Sequence, residues 1–369
     1  MQTAGGCECT GGQPVSRRSI LAASMSAVAG GVVLSATTGA PAAAAQTESA
    51  LPEDALITLG VQAGPPPVPN RTGISSALKV GSAVYQIDCG LGSLNAFANA
   101  GLRFDDLTSM FITHLHTDHI VDYFSFFLSG GYTAAKGKPP VTVYGPGPAG
   151  GLPPSRVGNP NPAIIVPTNP TPGLAATTAA LQQAFAYTNN IFIRDMGTDD
   201  IQTLATVHEI EVPPGSNFEN RSPRMAPFPV MSDDNVTVTA TLASHYDVYP
   251  AFAFRFDLNR SGTSVTFSGD TTKSDNVIAL ARDTDVLVHE AQFSLDDAYY
   301  GNRFPPHYLV NSHTSAEQVG EVAAAANAQQ VVLSHYSPTD LPDSEWQTAI
   351  GRTYSGRITV ARDGQVFAL

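Results

Sequence analysis

Short runs of alternating apolar and polar residues, punctuated by Gly, Pro and Asn, set the rhythm of most of this chain. Residues 77–80 and 83–88 predict two strands split by the Gly81-Ser82 turn, and 109–113 and 141–144 predict two more. In the second half, Val236–Leu242 alternates Thr with apolar residues, the pattern of a half-buried strand. Strands follow over 251–256 and 263–267. Helices are predicted over 275–282 and 315–326, each leading into a short apolar strand at 286–288 and 331–333. Two β-rich halves with helices on their outer faces predict an α/β sandwich.

Between the halves lies a segment of different character. Residues 145–235 hold 14 of the 28 prolines, four Arg, no Lys and eight acids. Its middle, 174–195, has a helical pattern, while its ends are Pro-rich and irregular. The segment reads as an insertion covering one side of a site, set against the simpler reading of a long surface loop. No internal repeat is visible.

The start of the chain carries a different pattern again. Ser16-Arg17-Arg18-Ser19-Ile20-Leu21 opens a weakly apolar run to about Ala40, followed by Pro41-Ala42-Ala43-Ala44-Ala45-Gln46. Paired arginines, a modest apolar middle and a small-residue end predict a removable twin-arginine export signal over residues 1–45. A membrane anchor would need about 20 strongly apolar residues, and Gly and Ser interrupt this run. Removal leaves 46–369 as a single domain and Cys89 as its one cysteine, so no internal disulfide can brace the exported protein.

Composition narrows the function. At 43% hydrophobic and 14% charged, the 369-residue chain is that of a globular protein. Nineteen cations against 32 acids give −13, and 17 against 31 after signal removal, a balance opposed to nucleic-acid binding. The expected partner is therefore a small molecule.

Candidate chemistry sits in five motifs. His114-Leu115-His116-Thr117-Asp118-His119 directly follows a predicted strand. Alternate residues at a strand end share a face, so His114 and His116 aim at one point while Asp118 and His119 aim at a second. Four N/O donors in six residues is a spacing suited to a two-metal hydrolytic centre. His245 follows Val236–Leu242; Ser268-Gly269-Asp270 ends another strand; His289-Glu290 ends a third, answered by His313-Thr314-Ser315; Ser334-His335-Tyr336 ends a fourth. Every candidate ligand thus stands where a predicted strand gives way to a loop.

This set resembles the metallo-β-lactamase superfamily, and within it the ribonuclease Z and arylsulfatase-like branch. The resemblance rests on the six-residue motif, on Ser268-Gly269-Asp270-Thr271 through Val288-His289-Glu290-Ala291, and on His313-Thr314-Ser315-Ala316-Glu317-Gln318 followed by Leu333-Ser334-His335. It covers residues 55–145 and 236–365 and implies an αββα sandwich. It implies that His114, His116 and His245 bind one Zn2+ and that Asp118, His119 and His335 bind a second, with Asp270 bridging. Mn2+ or Fe2+ would also suit the donors. A metal-bridging hydroxide would be the nucleophile, with Asp118, His313 and Glu290 in catalytic roles: His313 contacts or protonates the substrate oxygen, and Glu290 orients from behind the ligands. A homodimer is implied by the resemblance alone.

The departures shape the functional expectation. Ribonuclease Z carries a basic, Gly-rich arm that grips transfer RNA, and the corresponding region here is the acidic, Pro-rich 145–235 segment. Only 24 residues separate His245 from Asp270, fewer than in that family. The expectation is an exported, periplasmic or secreted dinuclear zinc hydrolase of small ester anions, phosphodiesters or aryl sulfates. A lactonase or carboxyl-ester hydrolase is the alternative, with a ribonuclease Z-type endoribonuclease and a non-catalytic metal-binding protein behind it.

Other residues read mostly as structural. His208 belongs to a strand face, Cys89 packs as a small apolar group, and Trp346 and Tyr299-Tyr300 read as buried, with the lining of a substrate cleft as the alternative. His307 could line the pocket, Asp122 and Tyr123 could support the ligands, and Arg255 could pair in the sheet or hold an anion.

Overall fold

The structure is a computed structural model that describes residues 51–369 apart from 131 and 157–160. The export signal read over 1–45 lies outside the described residues. Among the described residues, fourteen strands and nine α-helices follow one another. The first half runs β1 (Asp54–Gly60), β2 (Ser75–Val80), β3 (Ala83–Ile87), α1 (Ser93–Asn99), β4 (Leu107–Phe111), α2 (Thr117–Ile120), α3 (Tyr123–Gly130) and β5 (Val141–Gly145). Then come α4 (Leu174–Ala184), α5 (Ala186–Met196) and β6 (Ala205–Glu209). The second half runs β7 (Phe228–Ser232), β8 (Val236–Leu242), β9 (Phe252–Leu258), β10 (Ser264–Phe267), α6 (Asp275–Leu280), β11 (Val286–Gln292), α7 (Tyr308–Ser312) and α8 (Ala316–Ala326). β12 (Gln330–Ser337), α9 (Asp343–Ile350), β13 (Arg357–Val360) and β14 (Gln365–Ala368) complete it.

The strands form two seven-stranded sheets, ordered β14-β1-β2-β3-β4-β5-β6 and β13-β12-β11-β10-β9-β8-β7. Both follow one plan. β3 to β6 are parallel, as are β10 to β13, and the remaining neighbours in each sheet are antiparallel. Parallel neighbours need crossover helices, and these cover the outer faces. The expected αββα sandwich is therefore the architecture found.

Burial of apolar side chains between the sheets joins the halves. Leu56, Leu78, Tyr85 and Phe111 of the first sheet share a cluster with Phe252, Phe254 and Phe256 of the second. Phe111 lies edge-on to Phe254 at 5.5 Å and to Phe256 at 4.9 Å. A second cluster fills the outer face of the first sheet, where Phe97, Phe104, Phe126 and Phe127 meet Leu107 and Val141. Outside the second sheet, α8 begins in a capping box, with Ser315 as N-cap and Gln318 at N3.

The Pro-rich segment takes part in both sheets. Its helical middle is the pair α4 and α5, and it supplies β6 and β7, one edge strand of each sheet. Two strands run further than their apolar cores predict. β11 continues through His289 and Glu290 to Gln292, and β12 continues through His335 to Ser337. The β11–β12 register shifts between His289 and Ala291, and His335 has a left-handed φ of 51°. A bulge lets the strands continue while turning these side chains out of the regular alternation.

Candidate metal centre

The parallel strands of both sheets deliver their C-terminal ends to one place, the usual location of ligand sites in open α/β sheets. β4 ends just before Thr113 and His114, and its loop turns into α2, which carries Asp118 and His119. From the second sheet come His245 after β8, Asp270 after β10 and His335 on β12. The turn presenting Asp270 depends on Gly269, whose φ is 56°. A Cβ there would stand 2.4 Å from the Phe252 carbonyl oxygen, which only glycine avoids.

All seven sequence-predicted donors converge. Four overlapping groups hold their ligand atoms within 4.8 Å of one another: His114, His116 and His245; Asp118, His119 and His335; His114, His119 and Asp270; and His245, Asp270 and His313. Asp270 reaches both sides. One of its oxygens is 3.5 Å from His119 Nε2 and 3.3 Å from His335 Nδ1, while the other is 3.7 Å from His245 Nε2. Asp118 lies 3.3 Å from His335 Nε2.

The free valences of these atoms fit metal ions. His245 Nε2 and His116 Nδ1 face each other at 3.2 Å, while His245 Nδ1 donates to the Ser312 carbonyl at 2.8 Å. His245 Nε2 is therefore a lone pair turned inward. His119 donates from Nδ1 to Asp88 at 2.8 Å and leaves Nε2 without a hydrogen bond. His114 Nε2, Asp270 Oδ1 and His335 Nδ1 are also buried without hydrogen-bond partners. Buried polar atoms carry a desolvation cost when unpaired, and two cations would satisfy these together.

The electrostatics agree. Burial holds His114 well below the usual histidine range and pushes His245 down to about 3, so both are neutral donors near neutral pH. Burial opposes ionisation of Asp270, yet the His335 and His119 rings outweigh it and hold its carboxyl well below the usual range. Asp118 is likewise lowered, burial being overcome by the His335 hydrogen bond and the His119 charge. Burial would lower His119, but Asp270 and Asp88 raise it well above the ordinary value. The same two carboxylates would draw a divalent cation to its Nε2.

His313 and Glu290 stand together beside this cluster. Glu290 Oε1 accepts from the Thr314 amide at 2.9 Å and the Thr271 amide at 3.4 Å, and its Oε2 lies 3.3 Å from His313 Nδ1. Burial depresses His313, but the neighbouring Glu290 carboxylate raises it overall. The backbone therefore holds the carboxylate, and the carboxylate turns the ring.

One functional residue escaped the sequence reading. Asp88, just past β3 with φ 55°, accepts from His119 Nδ1 and also from the Thr113 amide and hydroxyl, each at 2.8 Å. It fixes the tautomer and direction of a metal donor. The signal was available: Asp88 ends a strand on the same edge as the other candidates.

The remaining candidates fall outside the cluster. His208, on β6, stacks on Tyr144 at 5.5 Å. His307 caps α7 with a left-handed φ of 64° and is exposed. Arg255 binds Asp257 and the Leu280 and Arg282 carbonyls. Asp122 accepts from the Gly92 amide at 2.8 Å, and the Tyr123 hydroxyl is 3.0 Å from that of Thr178. Cys89 and Trp346 are buried, whereas Tyr299 is 46% exposed. His289 is buried with Nδ1 donating to the Glu290 carbonyl, apart from the donor groups.

Comparison with known proteins follows this geometry. A family model described as a beta-lactamase superfamily domain matches residues 175–336, and one described as anti-Pycsar protein Apyc1 matches 77–144. A ribonuclease Z from Mycobacterium bovis is 26% identical over 310 residues, covering 83% of this chain and 95% of that protein. Among solved structures, human short-form tRNase Z superposes with a TM-score of 0.57 at 19% identity, covering 85% of this chain and 98% of that one. The metallo-beta-lactamase fold protein YhfI from Bacillus subtilis gives 0.56 at 16%, covering 85% and 99%. The chain has the metallo-β-lactamase fold with a donor set able to hold metal ions, and it is similar to beta-lactamase superfamily domains and to proteins named ribonuclease Z.

Proposed function

We propose that this protein is a metal-dependent phosphodiesterase acting on small diesters after export from the cytoplasm. The observation that carries the reading is Asp270, whose two oxygens reach the two donor groups from one buried position. His114, His116 and His245 would hold one metal ion, and Asp118, His119 and His335 a second. Bound there, the pair would supply Lewis-acid polarisation of the ester and a lowered pKa for water.

The chain's own groups do the rest. Glu290 occupies His313 Nδ1, which leaves Nε2 to hold a proton for the departing ester oxygen. The raised affinity of His313 for that proton suits the role. Asp88 keeps His119 from rotating, and the burial of Asp118 and Asp270 keeps bulk water from their charges. Phosphorus is favoured over carbon as the atom attacked because the relatives are ribonucleases by name, and RNA cleavage breaks a phosphodiester.

A small substrate is favoured over RNA by charge. Residues 46–369 carry 17 cations and 31 acids, a poor partner for a polyanion that is held by displacing its counterions. The coverage of 95% of a ribonuclease Z nevertheless supports RNA as the second reading.

Turnover of bis(4-nitrophenyl) phosphate by the metal-loaded protein, beside Asp270→Ala, tests the proposal. Turnover lost in the variant supports it. A metal-loaded protein inert to the diester overturns it and directs the search to aryl sulfates and lactones. Faster cleavage of a precursor transfer RNA than of any small diester would assign the second reading. Replacing Arg17 and Arg18 by Lys should retain the protein inside the cell, and unchanged fractionation would refute twin-arginine export.

A further inference from the structure

A groove of about 590 Å³ opens beside His116, within the size range of pockets that hold a small ligand. One wall comes from the Pro-rich segment, with Leu152, Pro153, Pro154 and Ile164. Leu152 and Ile164 are 50% and 47% exposed, so the wall is apolar and open. The facing wall holds Tyr246 and Tyr308, whose rings meet edge to face at 5.2 Å. Tyr308 stands 6.0 Å from His313 on one side and stacks on Phe304 at 5.4 Å on the other, so the aromatic wall begins at the metal centre and leads outward. Tyr246 has a left-handed φ of 45°, a strained conformation for a large residue of the kind found at functional sites.

The groove's charge is arranged with equal care. Arg156 lies over the Tyr246 ring at 5.5 Å and binds Asp247 through two hydrogen bonds of 2.9 and 3.0 Å. Arg221 approaches the same carboxylate at 3.1 Å. Two guanidinium groups share the Asp247 carboxylate and so gather positive charge beside the groove, in a chain that is acidic as a whole. Flat apolar walls, an edge-to-face pair of tyrosines and a small group of guanidiniums suit one ring attached to one anionic group. They do not suit a long chain of phosphates, which would need several cations.

We propose that this groove binds the flat aromatic ring of one ester group of the substrate, with Tyr246 and Tyr308 as its stacking surface. The inference rests on the phosphodiesterase reading and narrows it to diesters carrying a single aryl or nucleoside group. Tyr246, Tyr308 and the Pro153-Pro154 wall then set specificity, while the metal centre sets the reaction.

The test compares phosphonates and phosphates that differ in the ring. Phenylphosphonate, thymidine 5′-monophosphate and methylphosphonate are used as inhibitors of bis(4-nitrophenyl) phosphate turnover by the metal-loaded full chain, and their binding is measured independently by calorimetry. A ring-bearing compound should bind at least about tenfold more tightly than methylphosphonate, as stacking of one ring provides. A lead for the thymidine compound identifies a nucleoside ester, and a lead for phenylphosphonate an aryl ester; either supports the groove. Tyr246→Ala, Tyr308→Ala and, on the exposed opposite wall, Ile164→Asp should each reduce the preference to below about threefold. Equal affinity of all three compounds in the unaltered protein, or a preference that survives all three substitutions, overturns the inference. Because calorimetry reads the preference without turnover, failure of the groove and failure of the phosphodiesterase reading give separate results.

Discussion

In the first sheet one loop after β4 delivers His114, His116, Asp118 and His119 within six residues, while in the second sheet His245, Asp270 and His335 arrive on three different strands. The two sheets share a strand plan, parallel on one side and antiparallel on the other, but they use it differently. The first concentrates its donors at one strand end and braces them from a neighbouring strand through Asp88. The second spreads its donors along its edge and needs a glycine turn at 269 and a left-handed His335 to aim them. A local motif can place donors by backbone geometry alone, whereas dispersed donors depend on the whole sheet being correctly registered.

Removing the carboxylate that joins the two contributions should break this comparison most severely. Asp270→Ala is expected to cost at least about a thousandfold in kcat/KM, the scale of several kcal/mol of charge stabilisation. Metal analysis of the same variant should show fewer than two ions per chain. Retention of both ions with near-normal turnover would mean that the two donor groups work independently. His313→Gln comes next, with an expected loss of about a hundredfold to ten-thousandfold in kcat for a missing proton donor, and metal content unchanged. Loss of metal instead would move His313 from substrate contact to metal ligation, a position its proximity to His245 and Asp270 also allows.

Asp88→Asn sharpens the contrast at smaller scale. It retains an acceptor for Thr113 but removes the charge that orients His119. Metal affinity is expected to weaken about tenfold to a hundredfold, measured by chelator competition, with turnover recovering in excess metal. An affinity equal to that of the unaltered protein would show that the contiguous motif needs no bracing from β3.

The same contrast explains what the sequence made legible. The six-residue motif declared itself because its donors are adjacent, and the dispersed donors were found by their common place after apolar runs. Asp88 was overlooked because a single aspartate after a strand resembles any turn residue until His119 is seen beside it. The strands that pattern reading missed have physical reasons of their own. β1 is buried at nearly every position, so it shows no alternation, and β7 is a partly exposed edge strand inside a proline-rich segment. The groove was not readable either, since Leu152, Tyr246 and Tyr308 lie far apart in sequence and meet only when the Pro-rich segment packs beside the second sheet.

His208 marks the other end of the scale. It is one of nine histidines, and composition alone gives no reason to separate it from the six that gather at the centre. Its strand does separate it: β6 is an edge strand of the first sheet, and the His208 ring stacks on Tyr144 of β5. His208→Ala should therefore leave kcat/KM within about twofold while lowering stability by about 1 kcal/mol, the worth of a partly exposed ring pair. Denaturant unfolding and steady-state kinetics on the same sample separate the two effects. A large loss of activity at unchanged stability would place β6 in the working site. The supply of donors would then extend to the sheet's outer edge, well beyond the loop after β4.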